Sequence, residues 1–485
     1  MTAQTGLPVE GKMYIGGRWT SGRATRTIAV HSPTTEELVG TVPEGVAGDA
    51  EDALRAARLA QPAWAALPPI ERAWLLRRLC ALLDRDREII ARLITLEQGK
   101  PIAQARGEVG GAIGFIEFAA DNARRIEGDI IPSDAAGEEI WIRRVPYGVV
   151  VGLTAWNYPV ALAGRKLGPA LATGNTIVLK SHELTPLSLL EIGRLCEEAG
   201  IPAGVVNIVS GRGREVGEAL VRSPLSDLVT MTGSVRAGRE IYAAAAESLK
   251  VIRLELGGKA PFIVMDDADI DAAVDAAIIA RFTNCGQICT CNERMYLHEA
   301  IADRFLDSFV SRAAALRIGN PLDAVDLGPK ISRPELEKVE AMVAEAVQGG
   351  AKLLTGGHRP EGDAFAKGHW FEPTVMMAPS NTAPIMQQEI FGPVVPVMRV
   401  TDFDEALRLA NESEFGLSAY LFTGSLNRVM RFNSESAFGE LYINRTCGEM
   451  VQGFHSGWKK SGLGGEDGKY GFDAYLRKKT AYVAA

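Results

Sequence analysis

Tyr147-Gly148-Val149-Val150-Val151-Gly152-Leu153 opens the part of the chain that decides the fold. Residues 149–153 form a short apolar run without polar alternation, the pattern of a strand covered on both faces. Three more such runs follow: Thr176-Ile177-Val178-Leu179, Val205-Val206-Asn207-Ile208-Val209 and Leu228-Val229-Thr230-Met231. Helix-prone segments fall around Arg165 to Leu171, Leu187 to Ala199, Arg214 to Val221 and Val235 to Ser248. Buried runs separated by one helix each require crossovers that cover both faces of a parallel sheet, so the spacing predicts a Rossmann-type α/β nucleotide-binding unit.

Outward from this unit the pattern repeats with other lengths. After Gly257-Gly258 a second alternation starts with Phe262-Ile263-Val264-Met265 and an alanine-rich helix from Asp269 to Phe282, then runs on to Asn444 as a second α/β domain. Upstream, Leu54, Ala57, Leu59, Leu75, Leu79, Leu82, Leu83 and Ile89 recur mostly at helical spacings and should cover a sheet. Met13-Tyr14-Ile15-Gly16-Gly17-Arg18-Trp19 reads as an edge hairpin, with Gly-Gly as its turn. The charge-free stretch from Pro146 to Gly164 could be mistaken for a membrane span. Gly152, Asn157 and Pro159 interrupt it and Arg165-Lys166 close it, so no membrane helix is expected.

Composition narrows the class. A chain of 485 residues with 47% hydrophobic and 23% charged side chains exceeds one compact core, which excludes a disulfide scaffold and intrinsic disorder. Lys plus Arg total 52 against 60 Asp plus Glu, a net charge of -8, so no global attraction draws the chain to nucleic acid or anionic lipid. Six sparse cysteines fit reduced thiols in a cytoplasmic protein, and the amino terminus lacks the basic start and apolar block of an export signal.

The densest reactive cluster is Asn284-Cys285-Gly286-Gln287-Ile288-Cys289-Thr290-Cys291, where the preceding helix should end. Its spacing lacks the second ligand pair of structural zinc, so no metal is expected. A free cysteine is commonly a small buried hydrophobe, but a Gly-Gln loop lifts this thiol out of regular structure. A thiol nucleophile needs a base and an oxyanion donor. Glu255, in the apolar segment Val251 to Leu256, would be pushed toward a basic pKa by burial; alternatively it pairs with Arg253 or Lys259. Asn157, after a strand, can offer its amide to an oxyanion or simply form the turn before Pro159.

Several signals point to a dinucleotide. Thr232-Gly233-Ser234 opens a helix where N–H groups suit a pyrophosphate, and Gly211-Arg212-Gly213 with Gly217 gives a second glycine-rich turn that close helix packing would also explain. Lys180 and Glu183 follow the second strand, where an acidic group accepts ribose hydroxyls and repels a 2′-phosphate, favouring NAD over NADP. A surface ion pair between them is the alternative.

These motifs together resemble the NAD(P)-dependent aldehyde dehydrogenases over essentially the whole chain: Ala155-Trp156-Asn157-Tyr158-Pro159, Lys180-Ser181-His182-Glu183, Thr232-Gly233-Ser234, Leu254-Glu255-Leu256-Gly257-Gly258-Lys259, Gly286-Gln287-Ile288-Cys289 and Glu389-Ile390-Phe391-Gly392-Pro393. The resemblance implies Cys289 as nucleophile, Glu255 as the base for hydrolytic water, Asn157 with the Cys289 N–H as oxyanion hole, and Lys166 and Glu466 near the base as helpers of proton departure. Lys180 and Glu183 would hold the adenosine ribose, Ser234 the pyrophosphate, Glu389 the nicotinamide ribose and Phe391 the nicotinamide region. Leu153, Trp156, Gly213, Gly217 and Gly233 would complete the cofactor site. Cys285 and Cys291 receive no role.

The implied organisation is a cofactor domain from 1–125 and 146–256, a catalytic domain from 257–464 and an oligomerisation β-flap from 126–145 and 465–485, assembled as a homodimer or homotetramer. Within the family, Cys289 to Arg294 and the segments 442–445 and 453–458 resemble bacterial lactaldehyde and glycolaldehyde dehydrogenases. There Arg165, Glu449 and His455 would surround a small hydroxylated aldehyde, unless Arg165 and Glu449 merely pair to fix a loop. Arg445-Thr446-Cys447-Gly448 is smaller than that subgroup's loop, which widens the expected pocket toward semialdehydes or longer and aromatic aldehydes. Ala155, Tyr158, Ser181, His182 and Gln388 also depart from commoner family residues. A base at Glu255 argues for water rather than coenzyme A as acyl acceptor, and the intact set argues against a non-catalytic binding protein.

Overall fold

The structure, a computed structural model, describes residues 8–484; residues 1–7, read above for an export signal, lie outside that range. Strands Val149–Leu153, Thr176–Lys180, Val206–Val209, Leu228–Thr232 and Val251–Glu255 are parallel neighbours. The sheet runs from Val251–Glu255 through Leu228–Thr232, Val149–Leu153 and Thr176–Lys180 to Val206–Val209. The chain therefore steps outward in one direction from Val149–Leu153, then returns to its other side. That reversal opens a crevice beyond the carboxyl ends of Leu153 and Thr232. The hairpin Met13–Ile15 and Arg18–Thr20 closes one edge of this sheet, and Gly462–Leu463 pairs antiparallel on the other. Two apolar cores, one on each face, bury the strands as their unbroken Val, Ile and Leu runs require.

A second sheet of seven strands runs from Lys352–Thr355 through Thr374–Met377, Val394–Val400, Asn292–His298, Ala260–Val264 and Ser418–Phe422 to Glu440–Ile443. Only Lys352–Thr355 is antiparallel to its neighbour. This sheet also has a core on each face. Asp129–Pro132, Glu138–Pro146 and Leu476–Ala484 make a separate antiparallel sheet that exposes Ile130, Trp141 and Tyr482.

Several boundaries differ from the sequence reading. The helix expected from Arg165 begins at Pro159, because proline at the first helical position supplies the required φ and its missing N–H costs nothing there. Arg214 to Val221 is a wide π-type turn, Gly213–Gly217, followed by the short helix Glu218–Arg222. Gly462–Leu463 falls within the range 257–464 expected for the second domain but pairs with Val251–Glu255 of the first sheet, while Gly468–Asp473 is a helix preceding the strand Leu476–Ala484. No helix of the described residues is long and apolar enough to cross a membrane.

Candidate active site

A cavity of about 460 Å³ lies between the two large sheets. Asn157, Trp156, Arg165, Gly233 and Ser234 line it from the first; Cys289, Glu389 and Phe391 from the second; Glu449 and His455 from the segment that returns. Cys289 is half-buried on its wall, whereas Cys285 and Cys291 are buried. Burial pushes the Cys285 thiol up to about 11 and raises Cys291 as well, which keeps both protonated and inert. No group of His, Cys, Asp and Glu among the described residues has the geometry of a metal site.

The Cys289 loop owes its shape to its own backbone and to Arg281 and Glu293, to which the sequence assigns no role. Asn284 and Cys285 have left-handed backbone, and at Gly286, with φ +69°, a Cβ would run into the Gly392 carbonyl oxygen. Buried Arg281 donates to the Gly286 carbonyl at 2.8 Å and pairs with Glu293. Glu293 accepts the N–H groups of Ile390 and Phe391 and pairs with Lys259. Burial opposes its charge, but Lys259 and Arg281 outweigh that and hold Glu293 at about 2. One carboxylate thus joins the thiol loop to the loop of Glu389 and Phe391. No motif marks it, because Arg281 and Glu293 read as ordinary helix and strand residues.

The glycine pair after Glu255 has a steric cause. A Cβ at Gly257 would meet the Glu389 carboxylate at 2.5 Å, and one at Gly258 would meet the Cys289 carbonyl oxygen at 2.5 Å. The Gly258 N–H donates to Glu389 at 2.8 Å. Burial raises Glu389 to about 7.

Glu255 ends its strand in buried surroundings that raise it to about 8. Neither carboxylate oxygen has a hydrogen-bond partner, and the expected alternatives do not form: Arg253 donates to the Ile252 carbonyl and Lys259 pairs with Glu293. Glu255 stands one layer behind the cavity wall. His455 Nε2 is 3.5 Å from it, and His455 Nδ1 is 3.2 Å from Glu440. Burial disfavours the imidazolium, but the Cys289 thiol, Glu440 and Glu255 together raise His455 well above its ordinary value. Beneath this group Lys166 donates to Glu466 at 2.6 Å and to Thr232 at 2.9 Å, while Thr230 also donates to Glu466.

The Asn157 amide donates to the Gln287 carbonyl at 3.0 Å, leaving its second N–H for the cavity. Arg165 does pair with Glu449, at 2.5 Å, and with an unforeseen partner, Asp467, at 2.7 Å. Burial pushes Glu449 up, but Arg165 outweighs it and holds this carboxylate at about 2; burial prevails at Asp467, raised to about 7.

Leu153, Lys180, Glu183, Gly213 and Gly217 lie off the cavity wall. Lys180 and Glu183 follow the neighbouring strand, and no ion pair within 4.0 Å joins them among the described residues; Lys180 Nζ donates to the Ser181 carbonyl. A Cβ at Gly217 would stand 3.7 Å from the Lys180 side chain, while one at Gly213 would meet nothing within 4 Å. Ser234 caps the helix Val235–Ala246 through the Ala237 N–H, and with Thr232 and Gly233 it sets this helix start on the crevice wall. Donors at a helix start, a carboxylate at Glu389 and the Trp156–Phe391 edge contact at 5.4 Å fit a dinucleotide's phosphates, ribose and ring.

A half-buried thiol and helix-start donors on one crevice of a two-sheet α/β frame have the layout of a nucleotide-dependent enzyme. Residues 19–481 match the aldehyde dehydrogenase family, to which the chain belongs. It is 48% identical over 473 residues to 3,6-anhydro-alpha-L-galactose dehydrogenase of Vibrio sp. (strain EJY3), covering 97% of this chain and 98% of that one. It is 43% identical over 479 residues to lactaldehyde dehydrogenase of Escherichia coli (strain K12), covering 98% and 99%. A solved structure of 3,6-anhydro-L-galactose dehydrogenase in complex with NAP superposes with a TM-score of 0.96 at 48% identity, over 98% of this chain and 100% of that one. The chain is an aldehyde dehydrogenase using a nicotinamide cofactor.

Proposed function

We propose that the protein oxidises a small or cyclic 2-hydroxyaldehyde to its carboxylic acid, with NAD preferred, through a thiohemiacetal and a thioester on Cys289. The observation that carries this reading is the shared cavity wall, where the half-buried Cys289 meets Asn157 and the charged set Arg165, Glu449 and His455. Cys289 attacks the carbonyl carbon as its thiolate, and the Asn157 amide with the Cys289 N–H holds the oxyanion. The nicotinamide cofactor, when bound, accepts the hydride. Glu255 then takes a proton from the water that opens the thioester, with His455 beside it and Lys166 and Glu466 beneath it to move the proton on.

Charged groups suit a 2-hydroxyl that an apolar wall would leave unpaired. The ion pair of Arg165 with Glu449 both fixes the loop and presents its polar edge. The short side chains of Cys447 and Gly448 on the same wall leave room for a ring, and the Vibrio relative's named substrate is such a sugar-derived aldehyde. Glu183 supports NAD: burial opposes its charge, but His182 and Lys180 hold it below its ordinary value, so it repels a 2′-phosphate. The same reading makes the protein cytoplasmic, with all six thiols free, and assembles it as a homodimer or homotetramer through the flap.

A substrate panel followed by NADH absorbance tests this. Lactaldehyde, glycolaldehyde and 3,6-anhydrogalactose should exceed succinate semialdehyde and long or aromatic aldehydes in kcat/KM by about 10- to 100-fold. Activity confined to the unhydroxylated aldehydes contradicts the hydroxyaldehyde reading. A higher kcat/KM with NADP than with NAD contradicts the role given to Glu183.

A further inference from the structure

Behind the Asn157 turn, residues 98–108 touch both halves of the crevice. The side chains of Lys100 and Glu108 are wholly buried and meet at 2.6 Å. Taking two ions out of water is costly, and well-packed apolar residues often replace such a pair without loss, so stability alone does not account for it.

Their remaining bonds run to the active site. Lys100 Nζ donates to the Asn157 carbonyl at 2.6 Å and stands 3.5 Å over the Tyr158 ring. Glu108 Oε1 accepts the N–H groups of Val160 and Ala161, at 2.8 and 3.3 Å, where the helix Pro159–Ala172 begins. The pair therefore grips residues 157–161 from one side.

The same segment also holds the thiol loop. Gln98 donates to the Asn284 side chain at 3.0 Å, and Gln104 accepts the Asn284 N–H at 2.8 Å. Asn284, left-handed at φ +50°, closes the circuit by donating to the Asn157 carbonyl at 3.2 Å. Asn157 and Cys289 come from different sheets, and residues 98–108 are bonded to both segments that carry them.

We propose that Lys100 and Glu108 are positioning residues for aldehyde oxidation, holding the Asn157 amide in register with the Cys289 sulfur. The inference rests on Asn157 being the oxyanion donor and extends that reading to a buried pair outside the cavity. Neither side chain touches substrate, and their effect passes through the Asn157 backbone.

The test is a kinetic cycle of Lys100→Met, Glu108→Gln and the double variant, with and without Asn157→Ala. Lys100→Met should lower kcat by about 10²-fold, the scale of a 1 Å misplacement, with KM for the dinucleotide and NADH affinity by fluorescence unchanged. It leaves Glu108 stranded and lowers the melting temperature; the double variant removes that charge and should recover stability without recovering kcat. In the Asn157→Ala background, Lys100→Met should cost nothing further. Equal losses with and without the Asn157 side chain, an unchanged kcat, or a kcat that returns together with the melting temperature overturns the proposal alone. Wild-type turnover in Asn157→Ala defeats the oxyanion reading and the proposal with it.

Discussion

Among single residues, the four thiols near the active site divide sharply. Cys285 and Cys291 are buried and raised, Cys447 is raised to about 11 by burial, and Cys289 shares the cavity wall with Asn157. Asn157→Ala should lower kcat by about 10²- to 10³-fold, the loss typical of one oxyanion donor, measured in steady state with NAD saturating. Glu255 yields a pH prediction. Its folded value of about 8 lies above that of an exposed glutamate, so the folded state keeps a proton that the unfolded chain releases. Its contribution to stability is complete at low pH and is lost as pH rises through about 8. Thioester hydrolysis needs the ionised form and follows the opposite trend: turnover limited by hydrolysis should rise through a midpoint near pH 8, and Glu255→Gln should remove that limb. A profile with the same limb in Glu255→Gln would assign it elsewhere. The thiol cluster of Cys285, Cys289 and Cys291 and the burial of Glu255 were legible in the sequence because a glycine-rich loop and an apolar strand mark their surroundings, whereas the choice of Cys289 came from the family motif. Asp467, the second partner of Arg165, was not legible, because nothing local announces a contact across 302 positions.

For the elements, the parallel strands could be read because burial on both faces writes continuous apolar runs. The helix Pro159–Ala172 was read short because its first turn is as apolar as a strand, and only proline at its start marks the boundary. Loop supports were harder still. Arg281, Glu293 and Lys259 come from a helix, a strand and the turn before Ala260–Val264, and their joint effect on the Cys289 and Glu389 loops exists only in the fold. Glu293→Gln removes the carboxylate between two buried cations and should destabilise by about 3–5 kcal/mol, read as a lower denaturation midpoint. A midpoint equal to wild type would mean that Lys259 and Arg281 find other partners.

For the molecule as a whole, two α/β units enclose the cavity and a three-stranded sheet stands apart with Ile130, Ile131, Trp141 and Tyr482 exposed. Apolar side chains on a free sheet invite a second copy, so Ile131→Asp with Trp141→Asp should shift the sedimentation coefficient toward the monomer. An unchanged coefficient would contradict the proposed assembly through this sheet. The proposed function requires that oxidation pass through a thioester on Cys289. Its most direct measurement is mass spectrometry of Glu255→Gln quenched after mixing with aldehyde and NAD. A burst of NADH is expected, with an acyl group on the peptide containing Cys289 that is absent in Cys289→Ala. An acyl group on Cys285, Cys291 or Cys447, or an NADH burst with no acylated peptide, would contradict it.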